Sequence, residues 1–284
     1  KNKWNEWVAY EKIFAPLEGE EKTKKYVTWI DDVGNGTDTI KKLFPATIFD
    51  YSKSAELVIR FLKMAKLEPK DICMDFFSGS ATTAHAVMQL NAEDGGNRKF
   101  IMVQLPELTD EKSEAYKAGY KTICEIGKER IRRAGKKIKA DSPLTTQDLD
   151  TGFRVLKLDS SNMEDIYYTP KDISQANLFS LVDNVKSDRT AEDLLFQVML
   201  ELGATLDSKI ETEVVAGKTI YNVADGYLVA CFDKDVTDEV VTTIAKMHPL
   251  YAVLRDTSMA NDSTATNFEQ LFKTYSPDTV TKIL

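Results

Sequence analysis

A strand, a tight turn, a helix and a second strand follow one another between residues 71 and 105, and this succession constrains the fold more than any other feature. The apolar runs 71–77 and 100–105 each have the length and composition of a buried strand. The small residues SGSATT separate the first run from a helix predicted over 82–91. Two strands joined by one helix are usually parallel, with a right-handed crossover. The sequence therefore predicts an α/β fold.

The turn after the first strand is the strongest candidate for a ligand site. Gly79 lets the backbone approach a ligand closely, and the N-terminus of the next helix offers free N–H groups to a carboxylate or phosphate. Ligands of open α/β sheets bind at the carboxyl ends of the strands, where Asp75 and Glu107 also fall. An acidic residue after the second strand is suited to accept hydrogen bonds from a ribose diol. These features predict a site for a cofactor that contains adenosine.

The turn contains one glycine, whereas a dinucleotide site is expected to show G-x-G-x-x-G. A nicotinamide dehydrogenase is therefore disfavoured. S-adenosylmethionine fits better, because Asp75 can pair with the ammonium group of that cofactor. On the pattern alone, an ordinary structural turn between a strand and a helix remains the alternative.

Several segments resemble one family in the same order. DFFSGSATTAHAV at 75–87 is similar to the cofactor motif D-x-F-x-G-S-G-T-T of β-class amino-methyltransferases that act on DNA. FDYSKSAELV at 49–58 resembles the FDYPKP segment that precedes this motif in the methylation (Mod) subunit of type III restriction–modification systems, and 91–107 resembles the stretch that follows it. Residues 152–163 and 254–273 are similar to the C-terminal region of that family.

The resemblance implies a Rossmann-like S-adenosylmethionine-dependent methyltransferase fold that is partial, missing its N-terminal half, and is followed by a smaller α+β C-terminal domain. It implies that residues 1–45 are the tail of an upstream target-recognition or linker region. Residues 46–140 would then be the cofactor-binding part, and 151–284 an interaction domain. The implied cofactor-binding residues are Lys53, Asp75, Phe77, Ser78, Gly79, Ser80, Thr82 and Glu107.

Three departures from the family pattern affect the expected activity. Ala81 replaces the usual second glycine of the turn, and Ser52 and Ser54 replace the two prolines around Lys53. The chain contains no Pro-Pro pair, so the D/N-P-P-Y motif that would hold the target amine is missing. Together with the start at Lys1, this leads us to expect the C-terminal part of a larger subunit, without catalytic residues and inactive alone.

Two functions follow as hypotheses. The resemblance implies the modification subunit of a type III restriction–modification system, a site-specific DNA adenine-N6 methyltransferase with S-adenosylmethionine as cofactor. Its implied partners are double-stranded DNA, the restriction (Res) subunit and a second copy of itself. The alternative is a non-catalytic module for dimerisation or docking of the restriction subunit, with a degenerate cofactor turn. Asp75, Gly79 and Glu107 favour the enzyme, whereas Ala81, Ser52 and Ser54 favour the module.

The composition excludes other classes of protein. The net charge of -8 comes entirely from residues 151–284, which carry -9 against +1 for residues 1–150. This asymmetry fits two domains with different partners, and the charge excludes a basic protein. No apolar run approaches the ~18 residues of a membrane span. Three cysteines without a C-x-x-C pair and only two histidines argue against a zinc cluster. This cysteine usage fits a reducing, cytoplasmic location.

The remaining segments give further expectations. KERIRRAGKK at 128–137 either contacts DNA phosphates or places cations at a helix C-terminus, where they are favoured anyway. His85 is expected to be a packed residue and not a base. Residues 1–45 are expected to be irregular and 139–152 to be a linker. Helices are predicted over 53–66, 112–134, 191–203, 237–247 and 266–275, strands over 152–159 and 250–256, and a β-meander over 209–232.

Overall fold

The computed structural model describes residues 33–46, 48–164, 184–255 and 262–284, with side chains from residue 267 onward in the last range. The chain divides into two compact units, the first ending at Phe153 and the second beginning at Arg154. Each unit has its own hydrophobic core. The three tryptophans, Trp4, Trp7 and Trp29, lie outside the described residues.

The first unit is built around two short parallel strands, β1 (Ile72–Asp75) and β2 (Lys99–Met102). Asp75 pairs with Met102 in this register, so the two strands end together at one edge. Helix α3 (Thr82–Asp94) connects the strands. The predicted strand–turn–helix–strand unit and its parallel strands are therefore confirmed.

The described part of the first unit contains four further helices. These are α1 (Gly36–Leu43), α2 (Ala55–Met64), α4 (Glu114–Lys117) and α5 (Ile123–Asp141). The prediction of irregular structure throughout 1–45 is wrong for α1, because the Asn35 side chain accepts a hydrogen bond from Thr37 N–H and caps this helix.

The single helix predicted over 112–134 is interrupted. The chain leaves helical geometry after α4 because Thr109 N–H donates to Lys121 O at 3.0 Å and Ile123 N–H donates to Glu107 O at 3.0 Å. The Thr122 side chain then caps α5. These hydrogen bonds hold the start of α5 against the chain that follows β2. They thereby fix the backbone position of Glu107.

Gly135 lies inside α5 and does not end it, contrary to the predicted stop at this residue. A Cβ atom at Gly135 would lie 2.8 Å from Thr151 Cβ. Leu149 and Phe153 pack against the same core as α5. The predicted linker 139–152 is thus occupied by the end of α5 and by turns that belong to the first unit.

Only one face of the two-stranded sheet is covered by the described residues. Helices α2 and α3 pack against that face. The opposite face exposes apolar side chains to a degree unusual for strands that the sequence predicts to be buried: Ile72 59%, Met74 55%, Ile101 46% and Val103 44%.

The second unit is a five-stranded mixed sheet with the order β3-β4-β5-β6-β7. Strand β3 pairs with β4, and β4 with β5, in an antiparallel meander, whereas β5, β6 and β7 are parallel. Helix α6 covers one face, and α7 and α8 cover the other. The elements are α6 (Ala191–Leu202), β3 (Ile210–Val215), β4 (Lys218–Val223), β5 (Leu228–Cys231), α7 (Asp238–Lys246), β6 (Tyr251–Leu254), α8 (Asp262–Tyr275) and β7 (Val280–Ile283).

Most predicted elements of the second unit are confirmed, with two differences. The strand predicted over 152–159 is wrong, since this alternating segment pairs with no described strand and its Val155, Leu156 and Leu158 side chains are exposed. Strand β7, at the sheet edge, is an element that the sequence patterns do not predict. Within the described ranges, no helix has both the length and the apolar character needed to cross a membrane, and no acidic, histidine or cysteine side chains cluster as metal ligands.

Candidate cofactor-binding site

The turn between β1 and α3 is closed by the carboxylate of Asp75. Phe77 N–H donates to Asp75 Oδ1 at 3.1 Å, and Thr83 Oγ1 donates to Asp75 Oδ2 at 2.6 Å. One side chain thus joins the end of the strand, the turn and the first turn of α3. Asp75 shapes the turn on which the predicted cofactor site depends.

Gly79 lies at the tip of this turn in the left-handed conformation, with φ of 51°. Its N–H donates to Gln104 Oε1 at 2.7 Å, so the turn after β1 is fastened to the chain after β2. A Cβ atom at Gly79 would have a single neighbour within 4 Å, Phe77 O at 4.0 Å. Open space beside the backbone at a glycine is the arrangement that lets a ligand approach closely.

Ala81, which replaces a glycine of the family pattern, also adopts the left-handed conformation, with φ of 59°. The residue is buried, and its N–H donates to Ser78 O at 2.7 Å. Helix α5 passes close by, since a Cβ atom at Gly127 would lie 3.5 Å from Ala81 Cβ. The turn therefore forms with alanine at this position, at the energetic cost of a left-handed non-glycine residue.

Arg130, on α5, is fully buried beneath the turn. Its Nη1 lies 2.8 Å from Ser52 Oγ, 2.9 Å from Ser80 Oγ and 2.7 Å from Thr82 Oγ1. Because Nη1 carries two hydrogens, these hydrogens are shared among three acceptor oxygens. One guanidinium thereby joins the turn to the segment that contains Lys53.

The charge of Arg130 has no acidic partner among the described side chains, and its Nε and Nη2 atoms are buried without a hydrogen bond there. Burial lowers the pKa of the guanidinium to about 10, so the group stays charged at neutral pH. Burial, and secondly the charge of Arg130, lower the pKa of His85 to about 3. His85 is therefore a neutral, buried residue of α3, as its predicted packing role requires.

The segment around Lys53 is held by hydrogen bonds from the serines that replace the expected prolines. Ser54 caps α2 by accepting from Leu57 N–H at 3.4 Å, and its hydroxyl donates to Val33 O. Ser52 accepts from Arg130. Lys53 itself is exposed. Specific contacts of the two serines thus take the place of the rigidity that prolines would give this segment.

Glu107 lines a cleft of about 510 Å³ in the first unit. Phe49, Tyr51, Leu108 and Asp110 also line the cleft. The cleft has the size of a small-molecule site. The turn residues and Lys53 are not among the residues that line it.

The predicted site residues therefore form two groups. Ser78, Gly79, Ser80 and Thr82 lie together in the turn with Asp75, and Lys53 adjoins them through Ser52 and Arg130. Phe77 projects from the turn and is 89% exposed. Glu107 lies apart in the cleft.

Two residues that organise this region are not singled out by the sequence patterns. The patterns identify Gln104 only as the end of a strand, and Arg130 only as one member of the basic segment. Ile126 and Ala134 lie four residues either side of Arg130 and are buried on the same helix face. That spacing is the signal by which a buried arginine can be found.

The rest of the basic segment is largely paired. Arg133 donates to Glu129 at 2.7 Å and to Leu43 O at 3.1 Å, and its guanidinium stacks on Phe44. Other ion pairs join Lys128 with Glu125 and Lys137 with Asp141. Because α5 continues to Asp141, the placement of 128–137 at a helix C-terminus is wrong. Contact of the segment with DNA phosphates stays a prediction.

Comparison with known proteins gives matches to DNA-modifying enzymes. Residues 1–136 match the family model described as DNA methylase. The chain is 39% identical over 142 residues to the Mod subunit of the type III restriction–modification enzyme StyLTI of Salmonella typhimurium, covering 50% of this chain and 21% of that protein. It is 36% identical over 201 residues to the Mod subunit of EcoP15I of Escherichia coli, covering 68% and 28%.

A third relative is a type II methyltransferase, M.KpnI of Klebsiella pneumoniae, which is 32% identical over 145 residues, covering 45% of this chain and 34% of that protein. The chain thus spans between 21% and 34% of the length of these relatives. The matches confirm the resemblance that the sequence motifs indicate.

Proposed function

Because this chain is related to the modification subunits of type III restriction–modification systems and matches the DNA methylase family, we propose that it carries the S-adenosylmethionine site of a DNA adenine-N6 methyltransferase. The turn 77–82 would hold the methionine end of the cofactor, and Glu107 the ribose. The observation that carries the proposal is the turn itself, which Asp75 and Gln104 close at the carboxyl edge of two parallel strands.

The residues present fit this cofactor. The first N–H groups of α3 have no carbonyl partner within the helix and suit a carboxylate. The open space at Gly79 admits a ligand against the backbone. Asp75 accepts two hydrogen bonds from the turn, and its carboxylate oxygens have further lone pairs for an ammonium group. Glu107 is exposed in the cleft and can accept hydrogen bonds from two ribose hydroxyls.

When bound, S-adenosylmethionine supplies an electrophilic methyl group on a sulfonium, which the exocyclic amine of a flipped-out adenine can attack. The contribution of this chain is then orientation: the turn holds the methionine part and Glu107 the ribose, on either side of the sulfonium, which positions the methyl group between them. The 284 residues contain no D/N-P-P-Y motif to hold the amine. We therefore expect binding without methyl transfer from this chain alone.

The exposed apolar face of β1 and β2 supports a further part of the proposal, that these strands belong to a larger, Rossmann-like sheet. Parallel sheets are normally covered on both faces. In this view residues 46–140 are the cofactor-binding part of the methyltransferase domain and 151–284 a separate interaction domain. Residues 1–45 would end a target-recognition or linker region. Double-stranded DNA, the restriction subunit and a second copy of the chain are the proposed partners.

Calorimetric titration with S-adenosylmethionine tests the proposal. Asp75→Ala removes the carboxylate that closes the turn, and we expect affinity to fall at least about tenfold, the effect of one charged hydrogen bond. Asp71→Ala is the matched control, because Asp71 accepts from Glu68 N–H just before β1, at the opposite edge of the sheet. Loss of affinity in both variants, or in neither, would contradict the assignment.

The second candidate function is a non-catalytic docking module with a degenerate cofactor turn. The observation that favours it is Ala81, whose left-handed backbone is strained. Such strain persists only where the surrounding structure holds the residue in place, so the turn with alanine has a structural cost that the glycine of the family pattern would avoid. The same titration separates the two functions. A docking module would bind no S-adenosylmethionine but would self-associate or bind a restriction subunit.

A further inference from the structure

Three separate parts of the first unit meet at the Arg130 side chain. Ser52 precedes α2, Ser80 and Thr82 flank the start of α3, and Arg130 lies in the middle of α5. These hydrogen bonds tie the Lys53 segment to the turn through a single side chain. This guanidinium therefore adds a polar link between the two parts to the apolar packing of α2 against α3.

The direction of the hydrogen bonds gives this contact a chemical consequence. A guanidinium only donates, so the hydroxyls of Ser80 and Thr82 act as acceptors toward Arg130. Their own hydrogens are then left to donate elsewhere, and no described side chain or carbonyl accepts them. The hydroxyl of Ser52 differs, because it donates to Lys53 O at 3.2 Å. Two hydroxyl donors, on the buried residues Ser80 and Thr82, thus remain at the N-terminus of α3.

The charge of Arg130 acts in the same direction. A buried guanidinium is normally paired with a carboxylate, because an uncompensated buried charge is costly. The described part of the first unit offers Arg130 hydroxyls only. Its positive charge therefore adds to the partial positive charge of the helix N-terminus just above it. An anionic group placed at this turn would relieve the imbalance.

We propose that Arg130 is a positioning residue for the carboxylate end of the cofactor. It holds the hydroxyls of Ser80 and Thr82 as donors toward that carboxylate and fixes the Lys53 segment against the turn. This inference rests on the proposed function, since it concerns how the same site selects the amino-acid end of S-adenosylmethionine.

A pair of ligands separates this role from simple core packing. S-adenosylhomocysteine carries the amino-acid end, whereas 5′-methylthioadenosine carries the same nucleoside without it. The test measures the dissociation constants of both ligands for the unmodified chain and for Arg130→Met, which keeps the length of the side chain and removes the charge and the donors. We expect the affinity for S-adenosylhomocysteine to fall about 10- to 100-fold, as for lost charged hydrogen bonds, and that for methylthioadenosine to change less than about twofold.

Matched variants keep the test decisive. Arg133→Met removes a charge from the same helix, at a residue paired with Glu129, and should leave both affinities unchanged. Ser80→Ala removes one oriented hydroxyl without emptying the core, and should weaken S-adenosylhomocysteine alone even if Arg130→Met does not fold. Arg130→Lys should restore part of the lost affinity, because one ammonium retains the charge.

Each result has one meaning. Selective loss of S-adenosylhomocysteine in Arg130→Met, or in Arg130→Lys if Arg130→Met does not fold, supports the inference. Equal loss of both ligands, or no loss, overturns it while the proposed function stands. If the unmodified chain binds neither ligand, the proposed function fails and the inference fails with it.

Discussion

Gly79 N–H donates to the side-chain Oε1 of Gln104 at 2.7 Å, although the two residues are separated by the whole of α3. This bond fastens the turn after β1 to the chain that leaves β2. It fixes the spacing between the two places at which the proposed cofactor is held.

Replacing Gln104 should therefore loosen the turn. Gln104→Leu leaves the N–H of Gly79 without its acceptor, and we expect the free energy of unfolding to fall by about 1–2 kcal/mol. Affinity for S-adenosylmethionine should fall as well. Gln104→Glu keeps an acceptor oxygen at the same length and should retain most of both quantities. Urea unfolding and calorimetry check this, and equal losses in both variants would contradict the role given to Oε1.

Gly79→Ala should damage binding more than stability. The left-handed φ of 51° costs an alanine about 1 kcal/mol, while the space around the new methyl group is open in the free protein. The methyl group would, however, occupy the position at which a ligand approaches the backbone.

Gly95→Ala is the matched control for Gly79→Ala. Gly95 ends α3 with φ of 70°, and a Cβ atom at this residue would have no neighbour within 4 Å, so the backbone cost is similar. We expect both variants to lose about 1 kcal/mol in unfolding experiments, and Gly79→Ala alone to lose cofactor affinity. If the two variants bound S-adenosylmethionine with equal affinity, the turn at Gly79 would not be part of the cofactor site.

His85 should make stability depend on pH. Its pKa is about 3 in the folded chain, below the ordinary value of 6.5, so the unfolded chain takes up a proton first as the pH falls. The contribution of His85 to the free energy of unfolding is then fully present above about pH 6.5. Below this pH the free energy of unfolding declines by up to about 1.4 kcal/mol per pH unit, or about 2 kcal/mol between pH 7 and pH 5. Unfolding measured across this range checks the expected slope.

His85→Gln should flatten this slope between pH 7 and pH 5. The control is His248→Asn, because His248 is exposed and has a left-handed φ of 50° that asparagine tolerates. The slope should persist in this variant. If the pH dependence of stability were unchanged in His85→Gln, groups other than His85 would be its cause.

Gly135→Ala should destabilise the first unit although alanine is the better helix former. The new Cβ atom would lie 2.8 Å from Thr151 Cβ, a distance that forces the chain after α5 to move. We expect a loss of about 1–3 kcal/mol, typical of overpacking. The double variant Gly135→Ala/Thr151→Gly should recover part of it, and simple additivity in this cycle would refute the close contact.

Local patterns explain what the sequence predicts well. The apolar runs and the small-residue turn identify β1, α3 and β2, because strand and helix periodicity are properties of neighbouring residues. The meander and the capped helices of the second unit are predicted for the same reason. The family resemblance supplies the cofactor and the site residues, which periodicity alone leaves open.

Tertiary contacts explain what the sequence patterns miss. Arg130 belongs to a charged segment typical of a surface, whereas packing places it under the turn. Gly135 resembles a helix end, although it is required by the closeness of Thr151. The alternating apolar and polar residues of 152–159 have no described strand beside them to pair with. The helix predicted over 112–134 is divided by backbone hydrogen bonds to the chain around Glu107. Each of these depends on a partner distant in sequence.

A crystal structure of this chain with S-adenosylhomocysteine would test the proposed cofactor site most directly. We expect the amino-acid end of the ligand at the N-terminus of α3, beside Gly79 and Ser80, and the ribose at Glu107. A ligand bound in the second unit, or with its amino-acid end away from the turn, would contradict the proposal.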